Sequence, residues 1–319
     1  MDILFVTATR IGDAVLSTGL LGHLIERYPD ARLTIAAGPA AAPLFQAVPR
    51  LEQLIIVEKR RFAAHWLALY GQVAARRWDL VFDLRGSALP WLLRARDRCA
   101  IGKGNPAEHR VSQLARLCDL HPPPRPRLWL TSAHHRQAEL LVPPGPPVLA
   151  IGPAANWRGK QWRGERFATL AQRLTAPDGI LPAGRIAVLA AAHERAQAEP
   201  VLTAGPSERL IDLVGRTDLL TAAAVLRRAA LFIGNDTGLM HIAAASGVPT
   251  LGLFGPSPVA QYAPWGRYTA IAHTAIPAEE MWRTGFDHRT TDTLMDSLSV
   301  EAAEAAGRQL WARVASQAA

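Results

Sequence analysis

Twice along this chain, short apolar runs alternate with longer amphipathic stretches, and proline-dense sequence separates the two series. In the first series Ile3–Val6, Leu33–Ala36, Leu54–Val57 and Leu80–Asp83 read as strands, with helices over Ala14–Arg27 and Phe62–Arg76. In the second, strands are expected at Val148–Ile151, Ile186–Ala190, Leu231–Gly234 and Thr250–Phe254. Helices are expected there at Arg166–Leu174, Leu219–Arg228 and Leu239–Ser246. Strands that are apolar throughout and joined by helices build parallel sheets covered on both faces. The proline runs His121–Pro126 and Pro143–Pro147 can continue neither a helix nor a central strand. The second run marks the expected linker, with residues 1–145 as one domain and 146–298 as the next. The tail 299–319, including a helix over Val300–Val314, is expected to pack back on the first domain, and Thr284–Thr293 reads as a polar loop. The architecture predicted is α/β: two doubly wound, Rossmann-like domains with a cleft between them.

A chain of 319 residues with 49% hydrophobic and 19% charged residues can bury two cores of ordinary size. Ile186–Ala192 is among its longest apolar runs, far below the roughly 18 residues of a membrane-spanning helix. The start has no basic segment ahead of an apolar one, so no signal peptide is read there, and a cytoplasmic location is expected, with peripheral attachment to the inner membrane compatible. Cys99 and Cys118 lack metal-ligand spacing and no HExxH is present, so no metal or other cofactor is expected. The net charge of +8 favours anionic partners, such as a nucleotide diphosphate, a phosphorylated acceptor or an acidic membrane face. Arg60–Arg61, Arg76–Arg77 and the group Arg94, Arg96, Arg98 and Lys103 are candidates for that surface, a solvated polar face being the alternative for each. No nucleic-acid recognition motif accompanies the charge.

Four loops carry side chains suited to chemistry. At Phe232–Thr250 a buried strand ends in Asn235-Asp236-Thr237-Gly238 and opens a helix that contains His241. The first amides of a helix have no partner inside it, so an anion gains hydrogen bonds and the positive end of the dipole there. Plain capping by Asp236 or Thr237, with His241 on the surface, is the alternative. Asp13 follows the first strand at a strand-to-helix junction, where a carboxylate can accept the proton of an attacking hydroxyl or merely cap the helix. Lys160, one of three lysines, stands in the Gly152–Trp162 loop as a compact charge for diphosphate oxygens or as a solvated side chain. Glu194 follows a strand where acidic residues elsewhere accept ribose hydroxyls, unless it only complements a helix dipole. The dinucleotide, P-loop and hydrolase-elbow patterns are absent.

These stretches together resemble glycosyltransferase family 9, the bacterial lipopolysaccharide heptosyltransferases. The resemblance runs through Arg10–Thr18, Trp78–Gly86, Gly152–Trp162, Leu213–Thr217, Asp236–His241 and Gly247–Pro256. It implies a GT-B fold, an inverting mechanism without an essential metal, and an ADP-heptose donor. It also implies that Asp13 is the general base and that Lys160, Asp236, Thr237, Gly238 and His241 bind the donor, with Glu194 at its ribose and Arg216 in the nucleotide pocket. Arg10, Arg60, Arg61 and Arg85 are the candidates for the side facing an anionic glycolipid acceptor. A UDP- or GDP-sugar transferase of the same fold and a non-catalytic nucleotide-sugar-binding protein are the alternatives.

Overall fold

Parallel strands can be joined only by crossovers, so a chain alternating strand and helix returns each connection over a face of its sheet. The computed structural model describes residues 1–281, 287 and 291–318, and it falls into two units, Met1–Trp129 and Leu130–Ala319. Positions 284–286 and 288–290 of the polar segment Thr284–Thr293 lie outside the described residues.

The first unit contains β1 (Asp2–Val6), α1 (Ile11–Arg27), β2 (Arg32–Ala37), β3 (Leu51–Ile56), α2 (Ala64–Val73) and β4 (Trp78–Asp83). After these come α3 (Leu89–Leu92), β5 (Ala95–Ala100) and α4 (Arg110–Ala115). The sheet order is β3-β2-β1-β4-β5, and every pair is parallel. Val6 lies opposite both Ala36 and Asp83, so β1 and its neighbours end at one edge. On one face, Leu69 and Val73 of α2 and Leu89 and Leu93 at α3 bury against Leu4, Val6 and Val81 of the sheet.

The second unit opens with α5 (Ser132–Leu141), then β6 (Val148–Gly152), α6 (Gly164–Thr175), β7 (Arg185–Val188), α7 (Arg195–Leu202) and β8 (Leu210–Asp212). It continues with α8 (Leu219–Leu226), β9 (Leu231–Asn235), α9 (Gly238–Ala245), β10 (Thr250–Phe254) and α10 (Val259–Tyr262). β11 (Thr269–His273), α11 (Ala278–Met281) and α12 (Val300–Ala318) complete it. The sheet order is β11-β10-β9-β6-β7-β8, again parallel throughout. Among the described residues no helix is long and apolar enough to cross a membrane.

The division between the units differs from the one expected. The division falls ahead of Pro143–Pro147 because α5 packs against α8, where the Arg228 guanidinium donates to the Val142 carbonyl at 2.7 Å. The closing helix α12 lies on α6, β10 and β11 of the second unit. Its Ala303 and Leu310 sit in the core cluster of Leu174, Leu251 and Leu253, and Arg313 donates to the Thr269 carbonyl at 2.9 Å. The apolar stripe of α12 is thus spent on the sheet that precedes it in sequence. Leu310→Ala should therefore destabilise the second unit by about 2–5 kcal/mol, the usual cost of emptying a buried leucine site. Urea denaturation followed by tryptophan fluorescence reads this, since Trp162 and Trp311 belong to or pack on the same cluster.

Candidate functional site

In each sheet the chain builds outward on one side and then crosses to the other, which leaves two neighbouring strands whose following loops diverge. In the second unit those strands are β6 and β9, paired at Gly152 and Gly234. A Cβ on Gly234 would come within 2.9 Å of the Gly152 carbonyl oxygen, and one on Gly152 within 3.0 Å of Leu239 in α9. The paired glycines therefore let α9 begin close against the strand ends.

Lys160, at the tip of the loop after β6, reaches across this point. Its Nζ donates to Oδ2 of Asp236, which follows β9, at 2.7 Å. The Asp236 side chain is 8% exposed and the Lys160 side chain 28%. His241 is buried in the first turns of α9, with Nε2 at 3.9 Å from the other Asp236 oxygen. Thr237 is the N-cap residue of α9, with φ −144° and ψ 172°, yet its side chain makes no capping hydrogen bond. The capping role open to Asp236 and Thr237 in the sequence is not the one taken, and His241 is inside rather than on the surface. Lys160, Asp236, Thr237, Gly238 and His241 are brought together at one strand edge.

Glu194 and Arg216 occupy the next loops along the same edge. Glu194 accepts the Ala191 amide at 2.8 Å just before α7. Arg216, exposed after β8, donates to the Asp212 carbonyl at 3.1 Å. The two loops are stitched by the Gly215 amide, which donates to the Ala190 carbonyl at 2.9 Å. Gly215 has φ +71°, and a Cβ there would stand 2.7 Å from that of Ala192, so glycine is needed for this approach.

Sequence reasoning missed the residue that fixes the lysine loop. Asn235 ends β9 fully buried; its Oδ1 accepts the Trp162 amide at 3.1 Å, and its Nδ2 donates to the Pro153 carbonyl at 2.8 Å. Both ends of the Lys160 loop are thereby held to β9. Gln197 of α7 adds a third tie by accepting the Ala155 amide at 3.0 Å, and the Thr293 hydroxyl donates to the Gln161 carbonyl. The available signal was a polar residue closing an otherwise apolar strand.

In the first unit the switch lies between β1 and β4. α1 begins at Ile11 with Arg10 as its N-cap residue, which makes no side-chain capping bond. Asp13 is therefore in the first helical turn, half-buried, and not the helix cap. After β4, the buried Asp83 accepts the amides of Arg85 (2.8 Å) and Ser87 (2.7 Å) and the Ser87 hydroxyl (2.6 Å), fixing a turn that presents Arg85. The Arg85 guanidinium lies 4.6 Å from the centroid of the Trp66 ring, and burial pushes its pKa below the usual arginine value. Arg10 is exposed, as are Arg60 and Arg61 in the turn before α2. Among the described residues no three His, Cys, Asp or Glu side chains gather as a metal-binding group.

Comparison with known proteins gives this geometry a context. The model for glycosyltransferase family 9 (heptosyltransferase) matches residues 66–284. Lipooligosaccharide heptosyltransferase 2 of Haemophilus influenzae is 25% identical over 302 residues, covering 83% of this chain and 86% of its own. Lipopolysaccharide heptosyltransferase 2 of Salmonella typhimurium is 24% identical, covering 81% and 83%. The E. coli ADP-heptose LPS heptosyltransferase II structure superposes with a TM-score of 0.76 at 19% identity, covering 98% of this chain and 99% of its own. An E. coli heptosyltransferase solved with ADP gives 0.71 at 17% identity, covering 97% and 100%. The GT-B class of two Rossmann-like domains is shared with these structures. Asn235→Ala should lower stability by about 1–3 kcal/mol, since the Trp162 amide and Pro153 carbonyl both lose a buried partner. Limited proteolysis should show the lysine loop cut faster, and an unchanged urea midpoint and digestion rate would remove Asn235 from this role.

Proposed function

Because the chain belongs to glycosyltransferase family 9, we propose that it moves a heptose or related sugar from an ADP-sugar to a hydroxyl of a lipopolysaccharide core or similar glycan. The observation that carries the donor side is the Lys160–Asp236 pair at the β6–β9 switch point, beside a helix start whose N-cap side chain, Thr237, makes no capping bond. A diphosphate there meets the lysine ammonium, the first amides of α9 and the Thr237 hydroxyl, and takes the place of Asp236 as counter-charge to Lys160. Glu194 and Arg216, on the neighbouring loops, are assigned to the ribose and base ends of the nucleotide.

The chemistry asked of the protein is small in number of steps. Asp13 takes the proton from the acceptor hydroxyl while its oxygen bonds to the anomeric carbon on the face opposite the departing ADP, so the configuration inverts. Positive charge develops on the sugar ring as the bond to the diphosphate breaks. Negative charge grows on the leaving oxygens, where Lys160, His241 and the α9 amides lower its energy. This assigns charge neutralisation to protein groups rather than to a metal ion. Arg10, Arg60, Arg61 and Arg85 are assigned to the anionic acceptor, a glycolipid met at the inner face of the cytoplasmic membrane.

Two variants and one panel test the reading. Asp13→Ala should cut transfer about 10²-fold or more while leaving ADP binding intact; unchanged turnover removes Asp13 from the mechanism. Lys160→Gln, which keeps a donor for Asp236, should weaken ADP binding in calorimetry. In a thermal-shift panel ADP should raise Tm more than UDP or GDP at equal concentration, and a larger shift with either of those reassigns the donor.

A further inference from the structure

The α2–α3 face of the first unit carries a surface that none of the residues assigned to donor or acceptor occupies. The inner sides of both helices are spent on the shared core, and their outer sides end in large apolar groups. Leu67 of α2 is 73% exposed, Trp91 and Leu92 of α3 are 70% and 63% exposed, and Phe62 in the turn before α2 is wholly exposed. Next to α3 runs a groove of 620 Å³ lined by Arg77, Arg94, Arg96 and Arg98, with Asp79, which accepts the Asp2 amide at 2.7 Å, as its one carboxylate. The last three arginines alternate along β5 and its entry, so the strand's two-residue period puts them on one side. Arg98 couples groove and helix: its guanidinium donates to the carbonyls of Pro90 (2.7 Å) and Leu93 (3.0 Å), the residues bracketing Trp91 and Leu92. Among the described residues, the one ion pair that offsets the row is Arg96 with Asp97, at 3.8 Å between two exposed side chains.

The combination selects its partner. A soluble polyanion satisfies the guanidinium groups and leaves Trp91 and Leu92 in water. A protein interface buries apolar groups at its centre but is depleted there of unpaired charge. An anionic bilayer takes both, with ring and leucine at the headgroup boundary and arginine stems lying along them toward lipid phosphates. We propose that this face docks the protein on an anionic lipid bilayer, Trp91 and Leu92 entering the headgroup boundary and Arg77, Arg94 and Arg96 binding lipid phosphates. The inference goes beyond the sugar-transfer reading and stands without it.

The test is sedimentation of the full chain with phosphatidylcholine vesicles, with and without phosphatidylglycerol, at low and high salt. Wild-type protein should pellet with the anionic vesicles at low salt only. Arg94→Glu/Arg96→Glu should reduce partitioning by tenfold or more, each basic residue near such a surface being worth about fivefold. Trp91→Ser should reduce it several-fold. Both variants should keep the wild-type Tm and ADP thermal shift, which separates docking from folding and from donor binding. Wild-type protein left in the supernatant, or variants that partition like it, would overturn the proposal. Arginine-dependent binding to heparin with vesicle binding indifferent to Trp91→Ser would make the groove a polyanion site instead. A dimer that Trp91→Ser dissolves, with no vesicle binding, would make the face a contact between copies. Vesicle binding retained without any ADP shift would instead count against the sugar-transfer reading alone.

Discussion

When all strands of a sheet run one way, every loop that follows a strand emerges at the same edge, and every loop that precedes one emerges at the opposite edge. This single constraint assembles the site in each unit. Residues 160, 194, 216 and 236 are far apart in sequence and share one edge because β6, β7, β8 and β9 are parallel. The reversal of strand order between β6 and β9 then opens room between two of those loops, and Lys160 and Asp236 meet across it. In the first unit the same reversal between β1 and β4 sets the Asp13 turn and the Arg85 turn on neighbouring strands.

Holding a lysine at such a point is a problem of backbone rather than of charge. A buried ion pair is weak evidence for stability, since desolvation offsets much of its attraction. The neutral bonds of Asn235 do the holding: each satisfies a main-chain group that the loop would otherwise leave buried and unpaired. Asp83 plays the matching part in the first unit, where three donors converge on its carboxylate. In both units the residue that shapes the loop is the last polar residue of an apolar strand, one or two positions ahead of the residue assigned to chemistry.

Much of this was legible in the sequence, for reasons that differ by element. Thr250–Phe254 was read to the residue and Val148–Ile151 to within one, because a fully buried strand is an unbroken apolar run. Gly238 was placed at a strand-to-helix turn for the same reason, whereas Asp13 was placed just ahead of a helix that begins two residues before it. β5 was missed because Ala95-Arg96-Asp97-Arg98-Cys99-Ala100 has no apolar run, as an edge strand needs none. β8 is three residues long and β11 is only half-buried, so neither stands out. No helix was read over Ser132–Leu141, and its residues were placed in the first domain because a proline run shows where an element stops and not which sheet it packs on. The tail helix is similar, since Ala303 and Leu310 say that it packs and are silent on where. Asn235 and Gln197 act through main-chain partners, and no side-chain pattern announces those.

The ends of the two sheets carry a last consequence. An outermost strand offers unpaired main-chain groups to any other chain with a free strand, which is how many α/β proteins begin to aggregate. Here β5 bears Arg96, Asp97 and Arg98 along its length, β8 is too short to template a partner, and α12 lies across β11. Like charges on β5 repel a second copy approaching in register. Three of the four outer strands are therefore protected by different means, without giving up an open sheet.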